Sequence, residues 1–550
     1  MPPAQFLLPA RWRLPFTFPP RGIVLVVILA LYVLPGLVGH DPWKSDDATH
    51  FGLTYALLEG QGWLVPHLAG QAWFDNPPLY YWVAAIVAKA LRFLLPLYDA
   101  VRLTSGVFGA LFLCFSILAA RRLGNTEAAP AAGLIAIGCL GLLVHIHDTQ
   151  PAIAFLAAMA ASYYGLALVL TRPWLGALAT GAAIAVGYLA IGVPALLALV
   201  PLPLLLPLLA PAWRSRKALL GLCIGLLLAT LLSAIWPLLL YWYEPGALDA
   251  WWARELVDLR PVASWPASLW GYMQLLVWFA WPALPLAAWT LWRERRRLRE
   301  PRVMLPLLSF VVMLLLQSLC YEPRSLTALL LLPPLILLAV PATGTLRRGA
   351  SNAFDWFGMM TFTLLGALLW LAWSALMFGV PAQLARNAAR IEPGFVAAFS
   401  APAFAAALAL TLAWLWLIFG SPRSPQRGTV HWAAGMILIW GLAVALLLPW
   451  IDYGKSYRAV ATSLKKALPT ELGCVVGRDL GEAQRASFHY FAGIQTLPED
   501  GKSAASCKLF LIQSTARGKD LPPGAGWRKI WEGNRRGDRV ERFRLYQKSK

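Results

Sequence analysis

Between residues 22 and 451 one apolar block follows another, each close to the roughly 20 residues an α-helix needs to cross a hydrocarbon core about 30 Å thick. No water is present at that depth, so every block must pair its own backbone groups and is predicted to be helical. Of 550 residues, 59% are hydrophobic and 13% charged, and the apolar ones are massed in blocks instead of being spread at amphipathic spacing, which excludes an ordinary soluble enzyme. The 27 Trp and 42 Pro fit the same class, because Trp collects at membrane interfaces and Pro is tolerated in packed membrane helices.

A net charge of +20 raises the question of nucleic acid, but Lys and Arg sit in short loops beside the apolar blocks, where they report orientation. Arg11, Arg13 and Arg21 precede a first block that lacks a small-residue cleavage site, so this block is expected to stay as an anchor with the N-terminus inside. Counting 77–96 as a span would place Arg121 and Arg122 outside. Residues 79–95 are therefore expected to lie as an interfacial helix on the outer face. The predicted spans are then about 22–39, 103–120, 128–146, 150–171, 174–190, 194–212, 218–241, 268–292, 303–320, 324–342, 355–378, 397–420 and 431–451, roughly thirteen in all. An odd number leaves the C-terminus outside. The fold class expected is an all-α polytopic membrane domain (1–451, with an external loop at 40–102) followed by a small α/β domain (452–550).

From Asp452 onward polar and apolar residues mix. Cys474 to Val476 and Lys508 to Gln513 read as strands, 481–492 as a helix, and Trp527 to Gln547 as a hairpin about Gly533-Asn534-Arg535-Arg536-Gly537. Cys114, Cys139, Cys223 and Cys320 lie in apolar blocks as small packing residues, whereas Cys474 and Cys507 could form a disulfide in an oxidising compartment.

With this orientation the unusual polar residues converge outside: Lys44, Asp46 and Asp47 after the first span, Asp75-Asn76-Pro77-Pro78-Leu79-Tyr80-Tyr81-Trp82 in the same loop, and Asp148 in the turn His145 to Pro151. Arg254, Glu255, Asp258 and Arg260 occupy the loop 242–267, and Glu322 and Arg324 another outer turn. Carboxylates at a membrane interface are costly unless solvated, paired or used, and carboxylates with arginines are the parts needed for proton transfer beside a phosphate.

The acidic pair after the first helix, the aromatic-acidic-polar-Pro-Pro-Leu segment opening an interfacial helix, and the lone Asp148 together resemble the GT-C glycosyltransferases, and among them the bacterial lipid A aminoarabinose transferases and dolichyl-phosphate-mannose mannosyltransferase-like enzymes. The resemblance spans nearly the whole chain and implies an inner-membrane, inverting enzyme that moves one sugar from a polyprenyl (undecaprenyl) phosphate carrier to a lipid, glycan or protein acceptor, such as lipid A, at the periplasmic face. It implies catalytic roles for Asp46, Asp47 and Asp148, contacts to carrier or substrate from Arg260, Arg324, Lys44, Asn76 and Tyr81, and a divalent metal at Asp75 and Glu255 that the chemistry does not require. Asn76 and Ile191 stand where the family has lysines and Thr49-His50 where it has Arg-Tyr, so cations that could hold a phosphate or an anionic acceptor are absent from their usual places. The expected reaction is a single in-line displacement at the anomeric carbon, without nucleotide or nucleic acid. A transporter or flippase is disfavoured because no inverted repeat is found and the polar set lies on one face. A glycan polymerase or ligase is disfavoured by the early acidic loop and the folded tail.

Overall fold

The structure, a computed structural model, describes residues 20–469, 473–499, 504–515, 522–538 and 540–548; Arg11 and Arg13 lie outside them. Among the described residues nine helices are long and apolar enough to cross a membrane: Leu97–Arg122, Pro151–Val169, Pro173–Ile191, Arg216–Tyr243, Pro301–Cys320, Ser325–Gly344, Arg348–Phe378, Ala401–Gly420 and Arg427–Lys455. The other four predicted spans are occupied by shorter or broken helices. The first is helical only over Gly22–Val33, because Pro35, Gly36 and Gly39 follow at once. The segment 128–146 breaks at Cys139 into Pro130–Gly138 and Leu140–His145, where the Gly138 carbonyl accepts from Trp432 Nε1 (2.9 Å). The segment 194–212 contains Val193–Leu199 and Pro201–Leu209, which break at Pro201, and Pro207 removes a further helix donor. The expected span 268–292 is two helices, Trp265–Phe279 and Ala283–Arg293, bent by 105° at the Pro282 junction.

Burial sorts these helices. Pro151–Val169 is the central one, with 89% of its most apolar stretch buried, whereas Ala401–Gly420 has only 11% buried and turns its Leu, Trp and Phe side chains outward, as a lipid-facing helix does. The end of the central helix thus offers a fixed platform for the turn before it.

The helix Leu79–Leu91 has 13 residues, about 20 Å of helix, too short to span. Residues 242–267, read as a loop, contain the helix Pro245–Asp258; Trp251 buries one face of it against Trp236 and Tyr188, with ring centroids 5.1 and 6.2 Å away.

The tail holds a five-stranded sheet in the order Thr496–Pro498, Val475–Arg478, Leu509–Thr515, Glu541–Lys548, Trp527–Gly533, with the first three parallel and the last two antiparallel. The hairpin 527–548 is present, Cys474 is bonded to Cys507, and the helices Arg458–Ala467 and Glu482–Ala492 cover the sheet. The tail is clamped to the loop that follows the first helix. Arg458 Nε donates to Asp41 Oδ2 (2.8 Å), Ser456 Oγ to the same carboxylate (2.5 Å), and His489 pairs with Glu59 (3.2 Å). Gly52, on the helix Asp46–Leu58, allows the tail helix Glu482–Ala492 to approach closely, since a Cβ there would lie 2.5 Å from the Ala486 Cβ.

Candidate active site

Asp46 and Asp47 open the helix Asp46–Leu58, where carboxylates favour the positive end of the helix dipole. Their adjacent positions send them in different directions. Asp47 is buried and accepts five hydrogen bonds: from Arg102 Nε (3.2 Å) and Nη2 (3.0 Å), Thr149 N (2.9 Å) and Oγ1 (2.7 Å), and Trp43 N (3.1 Å). Burial pushes its carboxyl up, but the Arg102 charge, His40 and these hydrogen bonds outweigh that and hold it well below the usual carboxylate range. Arg102 is itself fully buried and also binds Asp99 (2.9 Å) and the carbonyls of Leu37, His40 and Asp41. These hydrogen bonds engage both carboxylate oxygens and tie the first loop to the turn at 148–150.

Asp46 is half-buried. Its Oδ1 accepts from Ser45 Oγ (3.0 Å) and its Oδ2 from Gln150 Nε2 (3.2 Å), while Gln150 Oε1 caps the central helix Pro151–Val169 by accepting from Ala152 N (3.4 Å). Asp148 lies two residues before Gln150, its backbone carbonyl held by Ser105 Oγ (2.6 Å), and among the described residues its carboxylate makes no hydrogen bond. Burial first, and then the Asp47 and Asp46 carboxylates, push the Asp148 carboxyl up to about 8, against the opposing pull of Arg102 and Lys455. Gln150 thus ties Asp46 to the turn that carries Asp148, near enough for the Asp46 charge to act on the Asp148 carboxyl, which keeps its proton at neutral pH.

The other expected residues divide. Tyr81 is buried and its hydroxyl meets His50 Nδ1 (2.9 Å), supporting the Asp46 helix from beneath. Lys44 is exposed, and its Nζ donates to the buried tail residue Glu541 (3.3 Å). Asn76 lies in the bend before Pro77-Pro78, and its side chain makes no hydrogen bond among the described residues. Arg324 is exposed and pairs with Glu322 (3.5 Å). Arg260 is exposed, in a segment tied to the end of Pro301–Cys320 through Val262 N and the Leu319 carbonyl (2.7 Å). Among the described residues neither arginine shares a hydrogen bond or an ion pair with Asp46 or Asp148.

The metal pair is not assembled either. Asp75 Oδ1 accepts from Arg254 Nε (2.7 Å), while Glu255 turns the other way, accepting from Val193 N (3.4 Å), where Gly192 (φ +78°) leaves room that a Cβ would take from Glu255 Oε1. Burial raises Glu255 to about 7. Among the described residues no group of three or more His, Cys, Asp or Glu side chains is placed to hold a metal ion. Two divergent carboxylates, one already paired with arginine, do not fit a divalent cation.

Sequence reasoning missed Arg102, Gln150, Glu482 and Arg485. Arg102 had a signal: a lone arginine at the edge of an apolar block, three residues after Asp99. The tail residues had none, since only docking brings them to the opening beside Asp75, where Asp75 and Asp46 both bear on the Glu482 carboxyl.

No family model matches the chain. It is 28% identical over 449 residues to the undecaprenyl phosphate-alpha-4-amino-4-deoxy-L-arabinose arabinosyl transferase of Pseudomonas aeruginosa strain UCBPP-PA14, covering 77% of this chain and 74% of that one. It is 29% identical over 354 residues to the corresponding transferase 1 of Sodalis glossinidius, 61% of each chain. In fold it is similar to ArnT from Cupriavidus metallidurans bound to undecaprenyl phosphate, with a TM-score of 0.70 at 16% identity over 95% of this chain and 97% of that one. ArnT in the apo state gives 0.66. The chain is thus similar in sequence to the bacterial aminoarabinose transferases and has the polytopic GT-C fold of ArnT.

Proposed function

We propose that the protein transfers a single sugar from an undecaprenyl phosphate carrier to an acceptor such as lipid A at the periplasmic face of the inner membrane, with inversion at the anomeric carbon. The observation that carries this reading is that Gln150 ties Asp46 to the turn that bears Asp148 at the start of the central helix, within the fold of a protein solved with undecaprenyl phosphate. Asp46 takes the proton of the attacking acceptor oxygen. The new bond forms at the anomeric carbon as the bond to the carrier phosphate breaks, and the phosphate departs as an anion. Asp148, protonated at neutral pH, donates a hydrogen bond to the oxygen on which charge develops. Asp47 and Arg102 hold the two carboxyl groups in place. An apolar groove of about 710 Å³ between the helices Pro173–Ile191, Val193–Leu199 and Arg216–Tyr243, lined by Tyr188, Val193, Leu196 and Tyr241, has the character needed by a polyprenyl tail and ends beside Glu255. No step is routed through a metal ion.

The basic residues Arg121, Arg216, Arg302 and Arg348 lie at the ends of span-length helices, and under the positive-inside rule such clusters support a cytoplasmic N-terminus and a periplasmic tail. The disulfide Cys474–Cys507 accords with an oxidising compartment. The test is an assay of the purified protein with a panel of undecaprenyl-phosphate sugars, read by mass spectrometry of lipid A and other acceptors. A mass increment equal to one sugar residue on an acceptor is expected, and its absence with every donor would overturn the reading.

A further inference from the structure

A second cavity, of about 590 Å³, opens between the membrane domain and the tail; Trp73, Asp75 and Arg254 line it from one side, and Glu482 and Arg485 from the tail helix Glu482–Ala492. Arg254 is matched by Asp75 (2.7 Å) and, more distantly, by Asp258 (3.6 Å). Arg485 is not matched. Its Nη2 donates to the Leu68 carbonyl (3.0 Å), its Nε–H is buried without a partner, and no carboxylate lies within ion-pair distance among the described residues. The indole N–H of Trp73 is a second buried donor without a partner in the same wall. Leaving such donors unmade is unfavourable, more so on a charged group, and a guanidinium in that condition is matched in shape and charge to a phosphate or carboxylate. Burial lowers the Arg485 pKa, and the pull of Glu482 only partly opposes it. The arginines that line this cavity are Arg254 from the membrane domain and Arg485 from the tail.

We infer that this cavity is an oxyanion subsite for the acceptor head group, in which Arg485 and Arg254, from opposite walls, hold a phosphate of the incoming acceptor next to Asp46. The tail is then part of the binding site and more than a cover. The acceptor, not the carrier, is the source of the anion because the apolar groove suited to a polyprenyl chain ends beside Glu255 and Val193 and shares no lining residue with this cavity. The inference rests on the glycosyl-transfer reading for the word acceptor, and its test separates the two.

The probe is glucose 1-phosphate, with glucose as its uncharged control, titrated calorimetrically into the full chain in nanodiscs. Wild type is expected to bind the phosphate ester at least tenfold more tightly than glucose. Arg485→Gln is expected to weaken it by roughly tenfold to a hundredfold, as for loss of a charge-assisted hydrogen bond, and Arg254→Gln by a similar factor. Arg485→Lys should recover part of the loss, and Asp46→Asn should abolish transfer while leaving binding intact. In kinetics Arg485→Gln should raise the acceptor KM and leave the donor KM unchanged. If wild type does not distinguish glucose 1-phosphate from glucose, or if Arg485→Gln binds it within twofold of wild type, the subsite is refuted. A rise in the donor KM alone would assign the anion to the carrier and overturn the proposal. Intact phosphate binding by a protein that transfers no sugar would sink the functional reading and leave the subsite standing.

Discussion

Substituting Asn for Asp47 should unfasten the site without touching the residue that does the chemistry. The Asp47 carboxylate accepts five hydrogen bonds and faces a fully buried Arg102, which would keep only Asp99 and three carbonyls. An amide has one acceptor oxygen, and its NH₂ group would point at donors. Breaking a buried ion pair by removing one partner costs about 3–5 kcal/mol. At one decade per about 1.4 kcal/mol, local opening should become roughly two to three-and-a-half decades more frequent. The assay is hydrogen–deuterium exchange in nanodiscs, followed at peptides covering 41–52 and 145–153. Asp47→Asn should lose protection there by that factor, while Asp46→Asn, whose carboxylate accepts only from Ser45 and Gln150 and faces no buried arginine, should leave exchange unchanged and abolish sugar transfer. Exchange in Asp47→Asn within threefold of wild type would refute the assignment of Asp47 as the fastener. Full transfer by Asp46→Asn would remove that residue from the mechanism.

Because Asp148 is raised to about 8 in the folded chain, that chain holds one proton more than the unfolded chain from the ordinary carboxylate range up to about 8, so this group's contribution to stability falls as pH rises through the window; Asp148→Asn should flatten that part of the stability–pH curve, and an unaltered slope would count against the burial argument. Reducing Cys474–Cys507, which closes a loop of sequence separation 33, should destabilise the tail by about 3–4 kcal/mol and speed its cleavage by protease under reducing conditions; equal cleavage rates with and without reductant would contradict this. Arg260→Ala should change donor affinity less than fivefold, since Arg260 is exposed and unlinked to the aspartates; a larger loss, measured by titration with undecaprenyl phosphate, would return it to the phosphate site.

By itself the amino-acid sequence determined what depends on local composition and on the solvent: a polytopic helical membrane domain, a small α/β tail with its hairpin, and the acidic positions Asp46 and Asp148. Hydrocarbon forces long apolar segments to be helices, and carboxylates at its border are conspicuous. Breaks inside those segments were harder to read, as at Pro282 or Cys139, because a bend depends on which neighbour captures the freed backbone groups, as Trp432 does at Gly138. Tertiary structure alone decided the division of labour between the two neighbouring aspartates, which turns on Arg102 arriving 55 positions away along the chain. It alone also placed Arg254 and Arg485 across one cavity and left Arg260 outside. Charge acts through distance in space and through burial, and neither is set until the helices have packed and the tail has docked.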